Sequence, residues 1–218
     1  MISGVSLIQR VYERASKSER ADAVYVATDD DRIADHVTKF GGRIVRPEGV
    51  FATGTDRIAA SLSMFDEVYD QVVNVQGDEP LIDARSIDDV IAALDLRGVD
   101  LATLACPIES EDEYASRDVV KVVTDLSGNA LYFSRAPIPY GSRTLALRHI
   151  GLYGYQAAVL RQLSEIAPSP LEAAESLEQL RPLQNGFKIR VLHTDKPHLG
   201  VDRPEDVLRV EAEIAKLR

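Results

Sequence analysis

The chain has 218 residues, 45% of them hydrophobic, which suits one α/β domain able to bury a core without covalent staples. Its formal net charge of −10, with Lys and Arg scattered rather than clustered, argues against a nucleic-acid partner. A single cysteine, Cys106, excludes an internal disulfide framework, and no charged-then-apolar leader or long apolar run occurs, so the expectation is a soluble cytoplasmic protein without a membrane partner.

In chain order, Leu7, Ile8, Val11 and Ala15 recur at helical spacing, and Val24 to Ala27 reads as a short buried strand. Asp31 precedes a helix carrying Ile33, Ala34, Val37 and Phe40, which Gly41-Gly42 stops. Arg43 to Val45 is a weak strand, and Thr55 is placed to cap a helix with Ile58, Ala59 and Leu62. Gln71 to Val75 is a strand, Ile87, Val90, Ile91 and Leu94 mark a helix, and Leu101 to Ala105 is strand again. This alternation predicts a Rossmann-type α/β fold with a mainly parallel sheet and helices on both faces.

The rhythm changes near Pro107. Val119–Val123 and Ala130–Phe133 flank Asp125-Leu126-Ser127-Gly128 as a hairpin, followed by a turn-rich stretch to Arg143 and a strand from Ile150 to Tyr155. Ser169-Pro170-Leu171-Glu172 is a capping box with Pro in the first turn, opening a helix that Pro182 ends. Lys188 to Leu192 is strand, and a last helix runs from about Pro204. The pattern reads as one domain, 1–218, with an inserted hairpin region at about 107–155.

Three constellations carry candidate chemistry. In Asn74-Val75-Gln76-Gly77-Asp78-Glu79-Pro80 a polar turn follows an apolar strand, where open α/β sheets bind ligands. Gly77 lets a ligand approach the backbone, and Asp78 offers a hard oxygen suited to Mg²⁺; an ordinary strand-to-helix loop explains the same residues. In Gly200-Val201-Asp202-Arg203-Pro204, Asp202 is either the cap of the last helix or a second metal carboxylate, and the two roles are compatible. The third set is dispersed: Arg135, His149 and Tyr153 four apart on one strand, and Glu178-Gln179 on the capped helix. An arginine suits a carboxylate, and the others supply the mixed donors and acceptors of a polyol site.

Taken in register, Tyr25 to Asp30, Thr53 to Arg57, Asn74 to Pro80, Ala130 to Arg135, His149 to Tyr153, Ser176 to Arg181 and Gly200 to Asp202 resemble the CMP-KDO synthetase (3-deoxy-manno-octulosonate cytidylyltransferase) family. The resemblance implies a nucleotidyltransferase that makes CMP-KDO and pyrophosphate from CTP and KDO for lipopolysaccharide synthesis. It implies Mg²⁺ held by Asp78 and Asp202, which are then the catalytic residues. Arg57 and Gln76 would bind the nucleotide, and Gln76, Arg135, His149, Tyr153, Glu178 and Gln179 the sugar; Arg143 is a further candidate in the proline-rich loop. It also implies a homodimer built partly from the hairpin region. The family's opening strand and phosphate-binding loop, P-A-R-x-x-S-x-R-x-P-G-K-P-L, has no counterpart here, and the expectation is that residues upstream of Met1 carry it. Two other readings use the same residues: a sister enzyme acting on 8-amino KDO or sialic acid, and a non-catalytic nucleotide- or sugar-binding homologue.

Overall fold

Three early helices begin where a side chain caps amides left over in the first turn. The computed structural model describes residues 1–51, 53–195, 199–201 and 203–216. Ser6 caps α1 (Leu7–Ala15), accepting from the Gln9 amide at 3.2 Å. Asp30 caps α2 (Asp31–Lys39) through the amides of Arg32 and Ile33. Thr53 caps α3 (Gly54–Ser61) through the Asp56 amide at 3.1 Å. Asp31 and Thr55 were the expected starts; both lie inside the first turn, while Asp30 and Thr53 hold the extended backbone that a cap requires.

The chain divides into two compact units, Met1–Val68 with Asn74–Asp88 and Lys196–Arg218, and Tyr69–Val73 with Asp89–Asp195. In the first, β1 (Val26–Ala27) and β2 (Ile44–Val45) pair in parallel. Ile2, Leu81 and Val210 form an apolar core there, with Leu7, Val207 and Ile214 packed against it. Val210, Val207 and Ile214 share one face of α9 (Pro204–Lys216), whose spacing is helical.

The second unit holds a six-stranded sheet. Its strands are β3 (Gln71–Asn74), β4 (Leu101–Pro107), β5 (Lys121–Thr124), β6 (Ala130–Ser134), β7 (Leu147–Gln156) and β8 (Ile189–His193). The order is β6-β5-β7-β4-β8, with β3 also pairing β7. The α/β architecture is the expected one, but this sheet is mixed rather than mainly parallel. β4 and β8 run parallel, whereas β7 is antiparallel to both β4 and β5, and β5 to β6. The excursion through the hairpin explains this, because the chain re-enters the sheet at β7 in the reverse direction.

The hairpin turn is built as its residues suggest. Asp125 accepts from the amides of Ser127 and Asn129, both at 2.8 Å, and Gly128 takes φ +81°. Lys121 is wholly buried, yet its ammonium donates to the carbonyls of Ser116, Val119 and Arg135 at 2.7, 2.7 and 2.6 Å, so every donor is used. Gly154 lets α4 (Ala84–Leu94) lie against β7; a Cβ there would sit 2.5 Å from Val90 Cγ1. The region beyond β4 also carries α5 (Glu111–Ala115), and α6 (Ala157–Glu165) follows β7 directly.

The capping box at Ser169 forms, with Glu172 returning to the Ser169 amide at 2.9 Å. The helix it opens, α7 (Pro170–Glu175), is shorter than expected. Ser176 turns left-handed at φ 54° and ends it, and Pro182 falls inside a separate helix, α8 (Leu180–Gln184). Glu178 and Gln179 therefore stand in the turn between two helices, not on the capped one. Among the described residues no helix is long and apolar enough to cross a membrane.

Candidate functional site

In the first unit, the turn after β3 brings Gln76, Gly77 and Asp78 together, closed by the Glu79 amide on the Gln76 carbonyl at 3.3 Å. The Asp78 carbonyl accepts from the Val201 amide at 2.9 Å, fastening this turn to the segment that leads into Asp202. Asp202 itself lies outside the described residues. Nothing in the packing demands glycine at 77, since a Cβ would meet only Ile8 Cδ1 at an ordinary 3.8 Å. The missing side chain leaves this turn's backbone open to approach.

Among the described residues no group of three or more His, Cys, Asp or Glu side chains is gathered to hold a metal. Mg²⁺ does not need one, because it is commonly held by one or two carboxylates together with substrate phosphates. The Asp78 turn, with the chain before Asp202 bonded to it, suits that mode.

Arg57 lies on α3 and is held from another direction. Its Nη2 is 3.7 Å from the Asp29 carboxylate, and its buried Nε has no hydrogen-bond partner among the described residues. A buried guanidinium N–H in that condition is a ready donor for an incoming acceptor.

The second unit brings most of the dispersed set together. His149 and Tyr153 lie on β7 with ring centroids 5.2 Å apart, as their spacing predicts. Between them the β7 register slips against β4: Tyr153 faces Thr103 and Ile150 faces Leu104, so Gly151 and Leu152 are skipped. His149 Nε2 lies 3.0 Å from Thr103 Oγ1, and the Phe133 ring meets the imidazole edge-on at 5.0 Å. Burial pushes the His149 pKa down to about 3, keeping the ring neutral. Burial, then the nearby Tyr155 and Glu178, pushes Tyr153 well above the ordinary phenol value, so it is protonated and able to donate. Glu178 is exposed on its turn and Gln179 beside it is buried.

Arg135, just past β6, is tied to the end of α7. Its Nε donates to the Glu175 carbonyl at 2.9 Å, Nη1 to the Arg117 carbonyl at 3.1 Å and Nη2 to the Ser176 carbonyl at 3.4 Å. Its amide donates to the Glu175 carboxylate at 2.8 Å. One N–H remains on each terminal nitrogen, and a charged guanidinium N–H suits a carboxylate oxygen. Arg143 instead turns back on its own loop, donating to the Ile108 carbonyl at 2.6 Å and approaching Glu111 at 3.7 Å.

Sequence reasoning missed two residues that organise this set. Thr103 is a polar residue inside an otherwise apolar strand, and that contrast was its signal. Arg181 pairs with Glu172 in the interior, Nε to Oε2 at 2.9 Å and Nη2 to Oε1 at 2.6 Å, bracing the turn that carries Glu178.

A cytidylyltransferase family model matches residues 1–189. The chain belongs to the cytidylyltransferase family. It is therefore a nucleotidyltransferase, and its relatives are matched nearly end to end. A 3-deoxy-manno-octulosonate cytidylyltransferase of Syntrophotalea carbinolica is 48% identical over 99% of this chain and 91% of that protein. The protein of the same name from Geobacter metallireducens is 43% identical over 100% of this chain and 91% of its own length. A solved structure of CMP:2-keto-3-deoxy-manno-octonic acid synthetase complexed with CTP superposes with a TM-score of 0.94 at 37% identity, covering 100% of this cytidylyltransferase and 91% of that chain. At 17% identity and a TM-score of 0.67, 4-diphosphocytidyl-2C-methyl-D-erythritol synthase from Anaerococcus prevotii shares the fold alone.

Proposed function

We propose that this cytidylyltransferase activates 3-deoxy-manno-octulosonate with CTP, giving CMP-KDO and pyrophosphate for lipopolysaccharide synthesis in the cytoplasm, where CTP is made. The observation that carries the reading is the TM-score of 0.94, over the whole chain, to the CMP-sugar-acid synthetase complexed with CTP. The anomeric oxygen attacks the α-phosphorus, the bond to the pyrophosphate oxygen breaks, and the hydroxyl proton leaves to solvent.

Asp78 and Asp202 would hold Mg²⁺. When bound, the ion neutralises phosphate charge and stabilises the attacking and leaving oxygens. The chain's own residues do the positioning. Arg57 offers its buried Nε–H to the nucleotide, and Gln76 presents its amide from the open turn at Gly77. Arg135 offers its remaining N–H groups to the sugar carboxylate. Neutral His149, protonated Tyr153, Glu178 and Gln179 supply the mixture of acceptors and donors that sugar hydroxyls require. Held in line, the reactants gain most of their advantage from orientation.

The partner expected besides the substrates is a second copy of the chain, meeting through the hairpin region. Leu126 is fully exposed there, and Leu131, Tyr140 and Leu145 are also exposed. Calorimetric titration of the protein with CTP and with KDO, with and without Mg²⁺, tests the assignment. Saturable KDO binding with Mg²⁺-dependent CTP binding is expected. Binding of sialic acid in preference to KDO would contradict it.

A further inference from the structure

β4 is buried along nearly its whole length, and Thr103 is its one hydroxyl-bearing residue, itself wholly buried. A buried hydroxyl must find partners, and Thr103 has three. Its Oγ1 lies 2.8 Å from the Leu152 carbonyl, 3.2 Å from the Ile150 carbonyl and 3.0 Å from His149 Nε2. The slipped register between β4 and β7 creates this arrangement. Skipping Gly151 and Leu152 takes them out of the ladder, and Thr103 reaches the carbonyls on either side of Gly151.

The hydrogen-bond inventory decides what His149 must be. Carbonyl oxygens only accept, and the threonine hydroxyl has a single proton, which must point towards them. If it pointed at His149 instead, oxygen lone pairs would face each other at 2.8 Å across the Leu152 contact. The remaining contact is therefore satisfied only when Nε2 carries a hydrogen and donates it to Oγ1. The imidazole is also packed between the rings of Phe133 and Tyr153 at 5.0 and 5.2 Å.

We infer that Thr103 is a positioning residue that locks His149 in its Nε2–H tautomer, so that Nδ1 meets the substrate as a hydrogen-bond acceptor. Among the described residues the side-chain hydrogen bond of His149 is made at Nε2, and a neutral ring protonated there leaves the Nδ1 lone pair free of a proton. The group facing it must be a donor. A sugar hydroxyl fits and a carboxylate oxygen is repelled, so the sugar acid's carboxylate lies away from His149. The identity of that donor rests on the sugar-acid reading above; the tautomer does not.

The ligand-free protein, labelled with ¹⁵N, gives the first test through long-range proton–nitrogen correlations of His149. The expected pattern has Nε2 protonated and Nδ1 bare, and a protonated Nδ1 would overturn the inference even if no variant folds. Thr103→Val removes the hydroxyl and should mix the tautomers, raising the KM for KDO up to about tenfold, the worth of one neutral hydrogen bond, while the KM for CTP holds. Thr103→Ser should restore both. An unchanged tautomer pattern and an unchanged KM for KDO in Thr103→Val would refute the positioning role. Failure of the wild type to turn over KDO would count against the proposed substrate, and the spectrum would still decide the tautomer.

Discussion

Glu172→Gln keeps the size of a buried side chain and removes its charge. The native carboxylate accepts from Arg181 Nε at 2.9 Å, Arg181 Nη2 at 2.6 Å and the Ser169 amide at 2.9 Å. Both side chains are nearly sealed from solvent, at 6% exposure for Arg181 and 9% for Glu172. A glutamine NH₂ would face one of these donors, and the buried guanidinium would lose the Glu172 charge beside it. Removing one partner of a buried pair costs about 3–5 kcal/mol. In a chain of this size that amounts to a fall in melting temperature of roughly 6–20 °C. Acid titration adds a second signature. Burial alone would raise the Glu172 pKa, but the Arg181 hydrogen bonds and charge and the Ser169 amide outweigh it, holding the group below its ordinary 4.5. The pair's stabilisation is thus present above about pH 4.5 and lost as pH falls through the lower folded value. Calorimetric melting of both proteins from neutral to acid pH is the assay, and the wild type should lose stability more steeply below pH 4.5. A neutral-pH fall under about 2 °C, or parallel acid limbs, would refute the reasoning.

Lys121→Met should destabilise the hairpin region, because three carbonyls lose their donor and each costs about 1–3 kcal/mol if left buried and unpaired; urea denaturation checks this. Asp78→Asn should lower turnover by several orders of magnitude at saturating Mg²⁺, and near-native turnover would sink its metal role. Arg135→Lys should raise the KM for KDO more than that for CTP, since an ammonium cannot both brace the Glu175, Ser176 and Arg117 carbonyls and offer further N–H groups; equal losses for both substrates would count against it.

Much of the architecture was legible where local pattern and tertiary role agree. The apolar run of β4, the helical spacing of α1 and the capping box at Ser169 each announce their element. α6 was missed although Ala157, Val159, Leu160 and Leu163 have helical spacing, because it follows β7 directly and Gln156 makes no side-chain cap. The length of α7 was misjudged because Ser176 adopts a left-handed conformation with no glycine to signal it. Of the site, His149 and Tyr153 could be paired from strand periodicity alone. Thr103 and Arg181 could not be assigned, since one acts through a slipped register between distant strands and the other through a pair nine residues apart across a turn.

The account rests most heavily on the acceptor of the cytidylyl group. The measurement that tests it is mass-resolved product formation by the protein supplied with CTP, Mg²⁺ and, separately, KDO, 8-amino KDO and sialic acid, with pyrophosphate followed in parallel. CMP-KDO and pyrophosphate should appear in equal amounts, and KDO should be the preferred acceptor. Conversion of sialic acid or 8-amino KDO in its place, or CTP binding with no pyrophosphate released from any acceptor, would contradict it.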